Sequence, residues 1–180
     1  EIGSLLELKM ENKFLREALN LGLAKDFQLK MADVMAKDIF EDSLIINKGK
    51  KDGIVEGNPV ITSQKVLVGR IGEVLENFSK VILISNKESS FDAKISGSDA
   101  YGMVKGKGHS EVWLELISKE KEIKAGDAVM TSSLAGIFPK NFLVGEIVEV
   151  QKSDTDPFQK AKINIGADIK ELKAVFIITN

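Results

Sequence analysis

One histidine, His109, occurs in the 180 residues, so a serine triad or an imidazole-bound zinc would depend on it alone. It falls in Lys107-Gly108-His109-Ser110, a run of turn formers that places it in a solvated hairpin turn rather than beside a nucleophile. Hydroxyl pairs recur as Thr62-Ser63 and Thr131-Ser132, and neither has a base near it in sequence. Their duplication points to a structural task, such as satisfying backbone groups at a strand end. The carboxylates Glu41-Asp42 and Asp154/Asp156 read as loop charges, because nothing near them in sequence would shift a pKa. Gly-x-Ser-x-Gly, His-Glu-x-x-His and Gly-Lys-Ser/Thr are all absent. So is cysteine, which excludes disulfides and thiolate metal sites. The sequence therefore predicts a non-enzymatic protein with no catalytic residue, no metal site and no cofactor.

The chemistry that remains is recognition. In Val112-Trp113-Leu114-Glu115-Leu116, strand alternation puts Val112, Leu114 and Leu116 on one face and Trp113 with Glu115 on the other. An outward tryptophan suits an interface anchor, and a tryptophan covered by an adjoining domain is the competing reading. Tyr101, beside Gly102, has the same two readings. Phe142 is read as part of the seven-residue insertion in the second repeat copy, where an exposed loop would present it to a partner. These three, Trp113, Tyr101 and Phe142, are the candidate partner-binding residues. Phe138 shares that loop, and Phe91 and Phe158, with apolar neighbours at strand spacing, read as core.

A helix rich in leucine, glutamate, lysine and alanine is expected from Ser4 to Lys25, with Ser4 and Glu7 as a capping box. A heptad register places Leu5, Asn12 and Leu19 at a, with Leu8, Leu15 and Gly22 at d. Asparagine at an a position fixes register and strand number, because only a matching partner satisfies its amide. Self-association through Leu5, Leu8, Asn12, Leu15 and Leu19 is one reading; a helix docked on its own β domain is the other.

After Asp26 the texture changes to β-branched residues in short alternating runs separated by Gly, Asn and Asp turns. Twelve candidate strands follow, from Ala32–Ala36 to Ala174–Ile178. Strands so short, without intervening helices, point to small barrels or sandwiches. An internal repeat sharpens this. Ile54, Gly57, Val60, Thr62 and Ser63 recur as Ile123, Gly126, Val129, Thr131 and Ser132. Val68, Gly69, Ile71, Glu73 and Val74 recur as Val144, Gly145, Ile147, Glu149 and Val150, shifted by an insertion in the Ala135–Asn141 stretch. The fold class expected is mainly β: a helical dimerisation segment (1–28), a first β-barrel (29–98) and a second, related β-barrel (99–180), whose final strand is free to return to the first.

Composition sets further bounds. Net charge is −2, from 25 basic and 27 acidic residues, and aromatics are 6%. Neither a basic field nor interleaved aromatics are present for nucleic acid, and the alternating Lys119–Lys124 run reads as a solvated edge or loop. No apolar run approaches the ~20 residues that span a bilayer. The chain starts at Glu1 and enters straight into a helical pattern, which reads as a piece whose natural N-terminus, with any signal or membrane anchor, lies elsewhere.

Asn47-Lys48-Gly49, Asp52-Gly53-Ile54, Gly57, Val60-Ile61 and Val68-Gly69 resemble the bacterial rod shape-determining MreC family. So do Gly126-Asp127-x-Val129-x-Thr131-Ser132, Gly136-Ile137-Phe138-Pro139 and Val144-Gly145-Glu146-Ile147. The resemblance covers about Ala32 to Ile178. It departs at Ser133 and Asn141, where the family usually has glycine, implying locally different turns. It implies a periplasmic protein anchored to the inner membrane by a helix outside this sequence. It further implies a dimerising helix, two barrels and a scaffold role in lateral cell-wall synthesis. Partners implied are the protein itself, a class B penicillin-binding transpeptidase and neighbouring cell-shape membrane proteins, with no nucleic acid. Two alternatives stand beside it. A periplasmic adaptor of a transport assembly also joins coiled coil to β-barrels, though such adaptors insert a helical hairpin and this chain shows one terminal helix. A trypsin-like two-barrel hydrolase would need more than the solitary His109.

Overall fold

The computed structural model describes residues 2–20 and 22–180. Glu1 and Leu21, both inside the expected helical segment, lie outside the described residues. Helix α1 runs Ile2–Asn20 and a short α2 runs Leu23–Asp26. Because α1 begins by Ile2, Ser4 lies inside it and is not its cap. Gly22, with φ 71°, breaks the expected continuous helix, since left-handed backbone ends a helix and suits glycine. The heptad frame therefore stops before its last d position.

Among the described residues there are twelve strands, and each stretch read as a strand overlaps one. They are β1 (Leu29–Asp38), β2 (Ser43–Ile46), β3 (Pro59–Ile61), β4 (Leu67–Val74), β5 (Ser79–Leu83) and β6 (Ser90–Ile95). The rest are β7 (Tyr101–Gly108), β8 (Glu111–Ser118), β9 (Ala128–Thr131), β10 (Leu143–Lys152), β11 (Phe158–Ile165) and β12 (Ala174–Ile178). They close into two antiparallel barrels, in the order β1-β12-β3-β4-β5-β2 and β10-β11-β8-β7-β6-β9. β6 belongs to the second barrel, so the break between barrels falls between Leu83 and Ser90, not after residue 98.

The two strand orders are one plan. In the second barrel β6 pairs with β7 and β9; in the first β12 pairs with β1 and β3. Every other pairing follows suit, with β1 to β5 matching β7 to β11. The first barrel is thus a circular permutation of the second, its missing strand supplied by the end of the chain. Closure is what removes the exposed edges from which strands aggregate.

The repeated residues explain why both copies fold alike. Gly57 (φ 87°) and Gly126 (φ 94°) turn the chain, and each donates its amide to the matching carbonyl, Ile71 or Ile147, at 2.8 Å. Asn58 Oδ1 accepts from the Val55 amide at 2.8 Å, and Asp127 Oδ2 from the Lys124 amide at 2.9 Å. A Cβ on Gly69 would overlap the Ile82 carbonyl, and one on Gly145 the Asn164 carbonyl. The Val-Gly of each copy is therefore set by a close strand crossing.

Each barrel has an apolar interior, and the first encloses Leu44, Ile46, Val60, Ile71, Val175 and Ile177. The second barrel's interior is continuous with a seam between the barrels, formed by Ile61, Leu67, Phe176, Ile178 and Phe142 and covered by Leu23 of α2. β12 is consequently buried on both faces, which is why Ala-Val-Phe-Ile-Ile carries no polar residue.

Candidate functional site: surfaces for protein recognition

At 100° per residue, α1 carries two opposed apolar faces. One docks: the Phe14 ring lies 6.3 Å from that of Phe176, and Ser63 Oγ donates to Glu17 Oε2 at 2.8 Å. The opposite face presents Leu5, Leu8, Leu15 and Leu19, 43 to 62% exposed, with Asn12 also exposed between them. The two readings of the helix are therefore compatible, each using its own face.

Trp113 stands half-buried on the outer face of β8. Its indole Nε1 donates to Glu111 Oε1 at 2.5 Å, and Lys160 Nζ sits 5.1 Å from its ring. Glu115 beside it takes Lys107 at 2.6 Å and Lys105 at 3.4 Å. Partial burial would raise its carboxyl, but Lys107 and then Lys105 outweigh that and hold it below the ordinary glutamate range. Tyr101, at the start of β7, is exposed.

β8 departs from simple alternation. Leu116 has φ 58°, a rare conformation for leucine, at a register shift between β8 and β11. This bulge turns Leu116 outward, 50% exposed, and brings Ile117 inward beside Val112 and Leu114. Phe158 is also outside rather than core, because the inward phase of β11 begins at Gln159.

Phe142 lies inside the protein, not on the loop surface expected of it. It is 0% exposed, its ring 5.5 Å from Phe27 and under Lys65 Nζ at 5.4 Å. The extra residues before it do form a loop between β9 and β10, but Phe138 anchors that loop edge-on to Phe91 at 4.9 Å, while Leu134 and Ile137 face out.

The hydroxyl pairs sit at strand ends. Thr62 Oγ1 accepts from the Gln64 and Val66 amides, each at 3.2 Å. Thr131 Oγ1 donates to the Pro139 carbonyl at 2.6 Å and accepts from the Phe142 amide at 2.9 Å. His109 (φ 52°) and Ser110 (φ 61°) form the exposed tip of the β7–β8 hairpin. Asp42, read as a loop charge, is instead buried, accepting from Ser85 Oγ at 2.6 Å and the Ser110 amide at 2.8 Å. No cluster of three or more His, Asp or Glu among the described residues could hold a metal ion, and no described helix is long and apolar enough to cross a membrane.

With this geometry in hand, the family model for the rod shape-determining protein MreC, barrel core, matches residues 34–179. The chain belongs to the MreC family. The cell shape-determining protein MreC of Haemophilus influenzae is 33% identical over 175 residues, covering 96% of this chain and 50% of that protein. The chain spans about half the length of the curated MreC relatives it matches. A solved MreC chain superposes with a TM-score of 0.85 at 25% identity, covering 95% of this chain and 98% of that one. A solved complex between Penicillin-Binding Protein (PBP2) and MreC from Helicobacter pylori matches with a TM-score of 0.61 at 21% identity, over 85% of this chain and all of that one. At that identity the likeness is one of fold.

Sequence reasoning passed over Phe40. It is 81% exposed at the β1–β2 turn, beside the exposed Ile39. The signal was legible: two large apolar residues between Asp38 and Glu41-Asp42, where a turn had to fall.

Proposed function

We propose that this chain is the periplasmic part of a non-catalytic scaffold for lateral cell-wall synthesis. It is tethered to the inner membrane through a segment outside these residues and associates with its own copies through α1. Its β surface binds a class B penicillin-binding transpeptidase and other cell-shape membrane proteins. The supporting observation for self-association is the free leucine face of α1 opposite its docked face. Family membership and the solved complex of a relative with PBP2 support the transpeptidase. On this reading Trp113 and Tyr101 contribute the aromatic contacts.

Two measurements test it. Leu8→Lys with Leu15→Lys should lower the associated species in analytical ultracentrifugation while leaving the melting temperature near wild type, because both side chains are exposed. Substitution serves better than deletion, since Leu23 of α2 covers the seam and its loss would confound association with unfolding. Unchanged association at every concentration would remove the helix from the interface. Trp113→Ala should weaken transpeptidase binding about thirtyfold, the usual effect of truncating a hot-spot aromatic, with Tyr101→Ala weaker in effect. Full affinity in both variants would move the interface off this face.

A further inference from the structure

The β1–β2 turn holds an exposed aromatic on an unusually braced backbone. Asp38 Oδ1 accepts from the amides of Phe40 and Glu41, each at 3.0 Å. The Glu41 carboxylate takes Lys80 at 2.7 Å, and the Glu41 carbonyl accepts from Asn86 Nδ2 at 2.6 Å. Asp42 (φ 46°) is buried and tied both to Ser85, between the barrels, and to Ser110 of the second barrel's hairpin. Asp38, Glu41 and Asp42 are each held by these bonds, while the Phe40 ring is 81% exposed. A turn whose backbone is already ordered leaves only the rotamer freedom of its side chain to be lost on insertion into a partner.

The turn is also bonded to the hairpin that leads into Trp113. Phe40 lines a groove together with Gly108 and His109. From Ser110, bonded to Asp42, the next outward residues along β8 are Glu111 and Trp113, themselves hydrogen-bonded. Residues 84–89, which join β5 to β6, lie tight against this hairpin: Gly108 donates to the Ser85 carbonyl at 2.8 Å, and a Cβ on Gly106 would overlap the Asn86 carbonyl. These contacts tie the Phe40 turn to the hairpin from which β8 runs to Trp113. Charge differs along the strip. The groove beside Phe40 sets Glu41, Asp42, Glu56, Glu73 and Glu88 against Arg70, Lys80 and Lys87, and the bond to Glu41 raises the Lys80 pKa, so the Phe40 end carries excess negative charge.

We propose that Phe40 is a second anchor of the partner-binding surface. It enters an apolar pocket with a lysine- or arginine-rich rim on the same partner that contacts Trp113, and Asp42 keeps the two anchors in register. The partner rests on the transpeptidase reading above. The test titrates the purified transpeptidase onto this chain carrying Phe40→Ala, Trp113→Ala or both, with melting temperatures recorded in parallel. Phe40→Ala should weaken binding about thirtyfold without lowering the melting temperature, as an exposed hot spot does. Phe40→Glu should weaken it at least as much, by placing a charge in an apolar pocket. Loss of affinity in Trp113→Ala with full affinity in Phe40→Ala would overturn the second anchor and leave the transpeptidase reading intact. Failure of the unsubstituted chain to bind would overturn the transpeptidase reading and this partner together. Amide hydrogen exchange of Phe40 and Glu41 separates the bracing from any partner. Slow exchange is expected, and exchange at the rate of an open loop would refute the pre-formed turn.

Discussion

Removal of residues 174–180 should unfold the first barrel, with loss of amide protection across residues 29–83 and retention across 90–165. β12 pairs with both β1 and β3, so its loss opens the barrel at two edges at once. The strand also buries Val175, Phe176, Ile177 and Ile178 almost completely. At roughly 1.5–3 kcal/mol for each large apolar side chain, these four account for about 6–12 kcal/mol, comparable with the ~5–15 kcal/mol that holds a domain folded. The second barrel draws its equivalent strand, β6, from its own sequence and keeps all six pairings. Hydrogen exchange followed by mass spectrometry reads the two regions separately. Equal protection in both after truncation would mean that β12 is an accessory strand and that permutation is not what closes the first barrel. Ile177→Ala offers a graded version, expected to cost ~2–5 kcal/mol as a cavity in the first barrel's interior.

How much of this was legible in sequence depends on the range of the interaction. The Gly57/Gly126 turns, the Thr62/Thr131 strand ends and the Val-Gly pairs act over a few residues, and their repetition disclosed two barrels of one plan. The seam does not act locally. Nothing in Asn141-Phe142-Leu143 shows that Phe27, more than a hundred residues away, will cover Phe142. Alternation in β8 predicted Leu116 inside, and a one-residue bulge reversed it, because a period of two inverts on a single insertion. The boundary after residue 98 failed for a related reason. β6 reads like any other strand, and only the permuted closure decides which barrel owns it. The heptad leucines were readable as a free face, whereas the docked face, with Phe14 and Glu17, could be recognised only against Phe176 and Ser63. Asp42 looked like a loop charge because its partners, Ser85 and Ser110, lie 43 and 68 residues away.

Phe142→Ala should lower stability by ~3–5 kcal/mol, the usual cost of truncating a buried phenylalanine, and leave transpeptidase affinity unchanged among folded molecules. The ring fills the junction where the two repeat copies meet. Val66 bridges Leu143 there, and the Leu143 amide donates to the Lys65 carbonyl at 3.1 Å. The Phe142 carbonyl also accepts from Thr131 at 2.8 Å, so the backbone beneath the ring cannot readily collapse into a vacated space. For a chain of this size ~1 kcal/mol corresponds to about 2–4 °C in melting temperature, so a fall of roughly 6–20 °C is expected. Phe27→Ala should fall by less, its ring being only half-buried. The double variant should lose less than the sum, because both rings line one cavity and neighbours that share a cavity are not additive. Calorimetry on the four proteins of this cycle measures the coupling. Additive losses would separate the two rings energetically and make Phe27 a bystander on the seam. A Phe142→Ala protein that melts like wild type yet binds the transpeptidase weakly would return Phe142 to the partner-binding surface, and the packed seam with it would have to be abandoned.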